Sequence, residues 1–180
     1  RGRRAAGEVV KFAHVLGHAG AITRLRRAVE RGRVAGSYLL AGPTGIGKRQ
    51  LADAFAMALL CEAPAGGDAC GACVQCTRVL GGTHPDVLVV DREEDRRDIR
   101  TEQVRDAIKW FALRPLMAQR KIALIDGAEF LNDHGQNALL KTLEDPRGQA
   151  ILILVAAAES TLLPTVRSRW ARCNSRPSTS

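Results

Sequence analysis

The sequence has few aromatic residues and no long apolar run. Only 4% of its 180 residues are Phe, Trp or Tyr, so stacking of nucleic-acid bases on aromatic rings is not expected as a main binding mode. No apolar stretch approaches the length of about 20 residues that a membrane-spanning helix needs. We therefore expect a cytoplasmic protein without a membrane segment, and a chain of this length forms one domain rather than two.

Acidic residues are fewer than basic ones, 19 against 27, which leaves a formal net charge of +8. Such an excess suggests a protein that works near a polyanion such as nucleic acid. Part of the excess crowds the solvent side of one predicted amphipathic helix and its end, at Arg24, Arg26, Arg27, Arg31 and Arg33. A charge run of this kind is more often a solvated face than a binding surface, and both interpretations stay open.

A glycine-rich loop after a short apolar run is the strongest motif in the chain. Residues 37–49 read SYLLAGPTGIGKR, which fits the phosphate-binding pattern G-x-x-x-x-G-K. The predicted nucleotide contacts are Gly42, Pro43, Thr44, Gly45, Ile46, Gly47 and Lys48. Glycines let successive backbone N–H groups converge on phosphate oxygens, and the lysine adds a positive charge. The pattern then requires a Ser or Thr that binds Mg²⁺, but the chain has Arg49, which cannot ligate a cation.

Asp126 is the candidate for the second acidic position of such a site. It ends an apolar run, Lys121–Asp126, and in P-loop proteins an acid placed there orients Mg²⁺. The next residue is Gly127, where related ATPases often have a Glu that polarises water. Glu129 is expected to be an acid at a helix start.

Four of the five cysteines lie close together in a Gly- and Ala-rich segment. Cys61, Cys70, Cys73 and Cys76 have the spacing C-x8-C-x2-C-x2-C, and four thiolates complete a closed tetrahedral Zn²⁺ site. The segment has too few apolar residues to fold alone, so we expect a structural zinc ion to order it. The alternative is a mobile loop with free thiols; His84 and Cys173 are not expected to be ligands.

The order of predicted elements is that of an α/β domain. Apolar runs predict buried parallel strands, separated by helical patterns, at Ser37–Ala41, Asp86–Val90, Lys121–Asp126 and Ile151–Ala156. Strands that alternate with helices predict a parallel sheet flanked by helices. We expect a flexible start over 1–11, a P-loop domain over 12–175 that carries the zinc-binding insertion at 61–76, and a disordered tail over 176–180.

The ordered set of motifs resembles a known family. GPTGIGK at 42–48, the four-cysteine insertion, THPD at 83–86, NALLKTLEDP at 137–146 and LLPTVRSR at 162–169 are similar to bacterial DNA polymerase III clamp-loader subunits of the AAA+ class. The resemblance runs from about Phe12 to about Arg172. It implies an AAA+ fold and a part in loading the sliding clamp onto primed DNA, with the other clamp-loader subunits (tau/gamma and delta) as partners.

Two branches of that family differ in their ATPase parts. The tau/gamma branch is the motor, and it would have Ser or Thr at 49, Glu at 127 and a polar residue after the fourth strand. This chain has Arg49, Gly127 and Ala156 to Ala158, which resembles the largely inert delta-prime branch. The resemblance implies that ATP is bound without hydrolysis, if it is bound, and that Arg169 is an arginine finger for a neighbouring subunit. From spacing alone, Arg167 and Arg169 could equally be surface charges.

Two alternatives remain from the sequence: a tau/gamma-like ATPase that tolerates Arg49, and a zinc-stabilised nucleic-acid-binding module that uses the basic helix. The family also has a lid and a helical collar after this domain, and neither is expected within these 180 residues.

Overall fold

Five parallel strands form the centre of the fold, in the order β2-β3-β4-β1-β5. Their bounds are β1 Ser37–Ala41, β2 Val87–Val90, β3 Lys121–Asp126, β4 Ala150–Ala156 and β5 Ala171–Asn174. The structure, a computed structural model, describes residues 11–93, 95–144 and 150–174. The predicted parallel sheet flanked by helices is confirmed.

The fifth strand, Ala171–Asn174, was not predicted from the sequence. β5 has no apolar run of its own, yet it pairs in parallel with β1, Tyr38 opposite Ala171 and Ala41 opposite Asn174. The edge of β1 supplies the hydrogen-bond partners that make this short segment a strand. The remaining tail, 175–180, lies outside the described residues, as do residues 1–10 of the predicted flexible start.

Within the described residues, six α-helices connect and cover the strands. They are α1 Ala19–Glu30, α2 Lys48–Leu60, α3 Val74–Leu80, α4 Thr101–Phe111, α5 Asp133–Glu144 and α6 Pro164–Arg167. An N-cap fixes the start of α5, because Asn132 Oδ1 accepts the N–H of Gly135 at 2.8 Å. In the described part of the chain, no helix is both long and apolar enough to cross a membrane.

The two faces of the sheet bury two separate cores because side chains alternate along each strand. Leu40 points into the core formed with α1, α2 and α3, whereas Leu39 points into the core formed with α4, α5 and α6. The sheet is therefore the middle of three layers, and the loops that follow the strands meet at one edge of it.

A buried carboxylate holds the loop between α4 and β3 against the sheet. Asp86 is fully buried and accepts the backbone N–H groups of Leu116, Met117 and Ala118 at 2.7, 2.7 and 2.8 Å. Burial raises the pKa of Asp86, but the three N–H donors outweigh burial and the net pKa is lowered. The aspartate of the THPD motif is thus a structural anchor.

His84 links this anchor to the cysteine insertion. Its Nδ1 accepts the N–H of Asp86 at 3.0 Å, so Nε2 carries the proton and donates to Oε1 of Gln75 in α3 at 2.6 Å. Burial lowers the pKa of His84 and favours this neutral form.

Candidate nucleotide pocket and metal site

The phosphate loop follows β1 directly and leads into α2. Gly45 and Gly47 have φ angles of +81° and +86°, which L side chains rarely adopt, so these two positions require glycine. Gly42 N–H donates to the carbonyl of Ala156 at the end of β4 at 3.3 Å. The sheet therefore fixes the start of the loop, and the N-terminal end of α2 faces the same space.

An open pocket of about 380 Å³ lies beside this loop. The loop and the first turn of α2 form one side, and Asp126, Glu129 and Ala157 from the ends of β3 and β4 form the other. Lys48 is buried, and its Nζ donates to the carbonyl of Pro43 at 2.6 Å. Burial lowers the pKa of Lys48, while the charges of Glu129 and Asp126 act in the opposite direction.

Arg49 lies within the pocket and pairs with two carboxylates. Its Nη1 donates to Asp126 Oδ2 at 3.0 Å, and its Nε lies 3.2 Å from both carboxylate oxygens of Asp53. Burial lowers the pKa of Arg49, but the charges and hydrogen bonds of the two aspartates outweigh burial and raise it. The guanidinium is therefore a permanent cation beside the predicted second acid.

Asp53 was not singled out from the sequence, although its position four residues after Arg49 is the spacing at which opposite charges meet on a helix. Glu129 was predicted only as an acid at a helix start. It does lie in a short 3-10 turn, Ala128–Phe130, but its Oε2 also accepts the N–H of Ala157 at 3.0 Å. It thereby joins the ends of β3 and β4 across the pocket floor.

His18 is a further residue that sequence reasoning missed. It is buried in a left-handed conformation just before α1, and its Nε2 lies 2.5 Å from the carbonyl oxygen of Ile46 in the phosphate loop. Through this contact, the segment before α1 supports the phosphate loop.

The structure brings the four predicted zinc ligands together. The Sγ atoms of Cys61, Cys70, Cys73 and Cys76 all lie within 4.8 Å of one another, and those of Cys70 and Cys76 are 3.9 Å apart. Four sulfur atoms about 2.3 Å from a tetrahedral zinc ion would be separated by about 3.8 Å. The donor set therefore fits a metal ion that prefers four thiolates.

Backbone N–H groups point at these sulfur atoms. Cys70 Sγ accepts from Ala72 and Cys73 at 3.5 and 3.3 Å, and these two donors are the main causes that lower the pKa of Cys70 to about 6. Burial raises the pKa of Cys61 and Cys76. The protein thus stabilises one thiolate by itself, and a cation would be needed to favour deprotonation of the buried pair.

The insertion is attached to the rest of the domain by contacts of its own backbone and one acid. Asp68 accepts the N–H groups of Phe12 and Ala13 at 3.1 and 3.3 Å, and Arg26 Nε donates to the carbonyl of Gly66 at 2.8 Å. At Gly67, φ is +70° and a Cβ atom would lie 2.4 Å from the backbone oxygen of Arg26. The insertion therefore packs on α1 at a distance that only glycine permits.

Arg169 lies at the opposite edge of the sheet from the phosphate loop. It is exposed, it comes two residues before β5, and its carbonyl accepts the hydroxyl of Ser37 at 3.3 Å. Ser37 begins β1 and Ala41 ends it, so a strand of five residues, about 13 Å long, separates Arg169 from its own pocket. Trp170, the next residue, is buried in the same core as Val166.

Comparison with protein families gives one match to most of the chain. Residues 17–178 match the family described as DNA polymerase III, delta subunit. Among curated proteins, the chain is 45% identical over 139 residues to DNA polymerase III subunit delta' of Pseudomonas aeruginosa, covering 77% of the chain and 42% of that protein.

Two Escherichia coli proteins match at about equal identity. The chain is 31% identical to DNA polymerase III subunit delta' over 81% of the chain and 44% of that protein. It is 32% identical to DNA polymerase III subunit tau over 88% of the chain and 24% of that protein. The chain thus spans less than half the length of these curated relatives.

Solved structures agree in fold. A gamma subunit-related protein of DNA polymerase III from Thermotoga maritima aligns with a TM-score of 0.59 at 20% identity, over 85% of this chain and 45% of that one. The RuvB Holliday junction branch migration motor of the same organism aligns with a TM-score of 0.54 at 19% identity, over 88% of this chain and 45% of that one.

Proposed function

The chain belongs to the DNA polymerase III delta subunit family, which confirms the resemblance found in its motifs. We propose that it is the AAA+ module of a clamp-loader delta-prime subunit. In this role it helps to load the sliding clamp onto primed DNA in the cytoplasm, together with the tau/gamma and delta subunits. It binds nucleotide phosphates without hydrolysing them, and it supplies Arg169 to the ATP site of a neighbouring subunit.

The observation that carries the proposal is the pairing of Arg49 with Asp126. The acid that would orient Mg²⁺ in an ATPase instead accepts a hydrogen bond from a guanidinium at 3.0 Å. Arginine at 49 has no hydroxyl for the metal, and Gly127 and Ala157 have no side chain that could polarise water. The pocket therefore keeps the phosphate cradle but lacks the groups that hydrolysis needs.

The position of Arg169 supports action on a neighbouring subunit. The residue is exposed at the edge of the sheet opposite its own pocket, and this distance from its own pocket supports a role toward a second protein. A guanidinium beside the γ-phosphate of ATP offsets the charge that develops on the transferred oxygens, a contribution of roughly 10³–10⁵ in rate.

The cysteine cluster supports a structural zinc ion held by Cys61, Cys70, Cys73 and Cys76. When bound, the ion would supply a cross-link between the end of α2 and the start of α3, because its four ligands belong to these two helix ends and the loop between them. Four protein thiolates leave no coordination position for substrate, so the role is structural.

A tau/gamma-like ATPase is the second candidate, because the chain is as similar to the E. coli tau subunit as to the E. coli delta' subunit. Steady-state phosphate release separates the two. We expect the protein alone to release phosphate from ATP no faster than buffer. Turnover that is abolished by Lys48→Ala would identify the protein as a motor.

The trans role is tested with the intact protein reconstituted with its motor subunits, clamp and primed DNA. Arg169→Ala should lower the ATPase rate at the adjacent site by about 10³-fold or more, with assembly unchanged. Arg169→Lys should not restore the rate, because an ammonium lacks the planar fork of donors.

Arg31→Ala is the matched control, since Arg31 is an exposed arginine at the C-terminal end of α1, away from Arg169 in the sequence. It should leave the ATPase rate unchanged. A normal rate with Arg169→Ala in a fully assembled complex would refute the finger. Loss of DNA affinity with Arg31→Ala alone would favour the nucleic-acid-binding module.

A further inference from the structure

Magnesium, which P-loop ATPases use with nucleotide, does not fit the pocket as the protein builds it. The ion requires near-octahedral oxygen ligands, among them a carboxylate and usually a hydroxyl from the residue after the P-loop lysine. Here that residue is Arg49, and one oxygen of Asp126 and both oxygens of Asp53 lie within 3.2 Å of its guanidinium. The place of the metal cation is thus taken by a side chain.

The electrostatic need for a cation remains in this pocket. Asp126 and Glu129 line the pocket, and Asp53 adds a third carboxylate through its pair with Arg49. Among the described residues lining the pocket, Lys48 is the one other cation. Without a second positive charge, the carboxylates would repel the phosphate groups of a nucleotide. Arg49 provides that charge permanently, whereas Mg²⁺ would have to be recruited from solution.

The guanidinium also has donors to spare. Its contacts with the two aspartates use Nε and Nη1, and Nη2 makes no hydrogen bond to the described residues. The side chain is 35% exposed and lines the pocket. Arginine is well suited to phosphate oxygens because its planar fork presents several N–H groups at once.

We propose that the phosphate-loop pocket binds the phosphates of a nucleoside diphosphate or triphosphate without a divalent cation, with Arg49 as its built-in cation. Asp53 and Asp126 act as positioning residues: they hold the guanidinium from α2 and from the end of β3, so that Nη2 is available to a phosphate oxygen. This inference rests on the proposed nucleotide binding and specifies its chemistry.

Equilibrium titration of the intact protein with ADP, once in excess EDTA and once in excess Mg²⁺, tests the proposal. The wild-type dissociation constant should be the same within about twofold under both conditions. Arg49→Ser restores a hydroxyl and frees Asp126, so this variant should bind ADP at least tenfold more weakly in EDTA and regain affinity in Mg²⁺. That reversal cannot come from simple loss of folding.

Two variants serve as controls. Gln50→Ser introduces a hydroxyl at the adjacent position of the same helix turn, where the residue is exposed and lines the pocket; its binding should stay independent of Mg²⁺. Lys48→Ala should abolish binding under both conditions, and thermal unfolding of each variant checks that it is folded.

The failures of the two proposals are distinguishable. Wild-type binding that requires Mg²⁺ would overturn the built-in cation and leave nucleotide binding intact. Wild-type protein that binds no ADP under either condition would overturn nucleotide binding together with this inference, while the role of Arg169 is judged separately in the reconstituted complex.

Discussion

A cation is expected at two places in the domain, the cysteine insertion and the phosphate loop. The two differ in how strongly the rest of the protein orders their backbone. The loop follows a fully buried strand and is hydrogen-bonded to the end of β4. Residues 62–66 of the insertion are exposed and add almost nothing to the core. We infer that a loop ordered by the sheet can replace a metal by an arginine, whereas an insertion with few buried apolar residues depends on a metal to fold.

Removal of a zinc ligand should have the largest effect on stability. Cys73→Ser deletes one sulfur ligand but keeps the N-cap of α3, because Ser is also a good capping residue. We expect loss of zinc by elemental analysis and a decrease in the free energy of unfolding of about 4 kcal/mol, or roughly 10 °C in Tm.

Cys173→Ser is the control, and it should retain one zinc ion per chain. We expect addition of Mg²⁺ to leave the Tm unchanged, because Arg49 stands where the metal would need a hydroxyl. Unchanged zinc content in Cys73→Ser, or stabilisation by Mg²⁺ alone, would break the contrast between the two regions.

Asp86→Asn tests the anchor that holds the loop between α4 and β3 against the sheet. We expect a loss of about 3 kcal/mol at pH 7, because an amide group would face backbone N–H donors with its own N–H₂. Asp106→Asn, at an exposed acid, should change stability by less than about 0.5 kcal/mol. Chemical denaturation of the three proteins measures the difference.

The pH dependence of this difference has a definite sign. The folded-state pKa of Asp86 lies below its ordinary value of 3.8, so its stabilisation is complete well above that pH and is lost as the pH falls through the folded-state pKa. Wild type and Asp86→Asn should therefore converge in strongly acidic solution. The pKa of His84 is lowered as well, so wild-type stability should begin to decline as the pH falls below its ordinary value of 6.5. A constant difference down to the lowest pH would contradict the anchor.

Gly67→Ala should differ least from its control, and it tests the contact between the insertion and α1. The new Cβ would lie 2.4 Å from the backbone oxygen of Arg26, so one of the two segments must move. Gly82→Ala is closely matched, since φ is +66° there and a Cβ would meet nothing within 4 Å. Both lose about 1 kcal/mol from the backbone conformation, and Gly67→Ala should lose about 2 kcal/mol more. Equal losses would show that the insertion does not depend on this contact.

Much of the fold was predictable because its signals are local. The strands at 37–41 and 121–126 have the predicted bounds, and the other two predicted strands differ by one residue at one end. Continuous apolar runs identify strands that are buried on both faces. β5 was missed because Ala171–Asn174 has no such run, and only its position beside β1 makes it a strand.

The sequence predicted the motif residues of the two sites, but it did not predict the long-range contacts around them. Gly45, Gly47 and Lys48 follow from a motif of adjacent residues, and the four cysteines follow from their spacing. Nothing in the spacing showed that His18 would reach Ile46, or that Glu129 would bind the backbone at Ala157. Those contacts join segments that are distant in sequence.

By itself, the sequence determined the α/β class, the phosphate loop, the loss of the magnesium-binding hydroxyl and the set of four thiols, because each depends on residues that are neighbours or nearly so. Only the tertiary structure decided which carboxylates Arg49 meets and which contacts hold the insertion. Arg49 meets Asp126 across 77 positions, and Asp68 meets the backbone of Phe12 across 56. The physical reason is that ion pairs and hydrogen bonds depend on distance in space, and the order of strands in the sheet sets that distance.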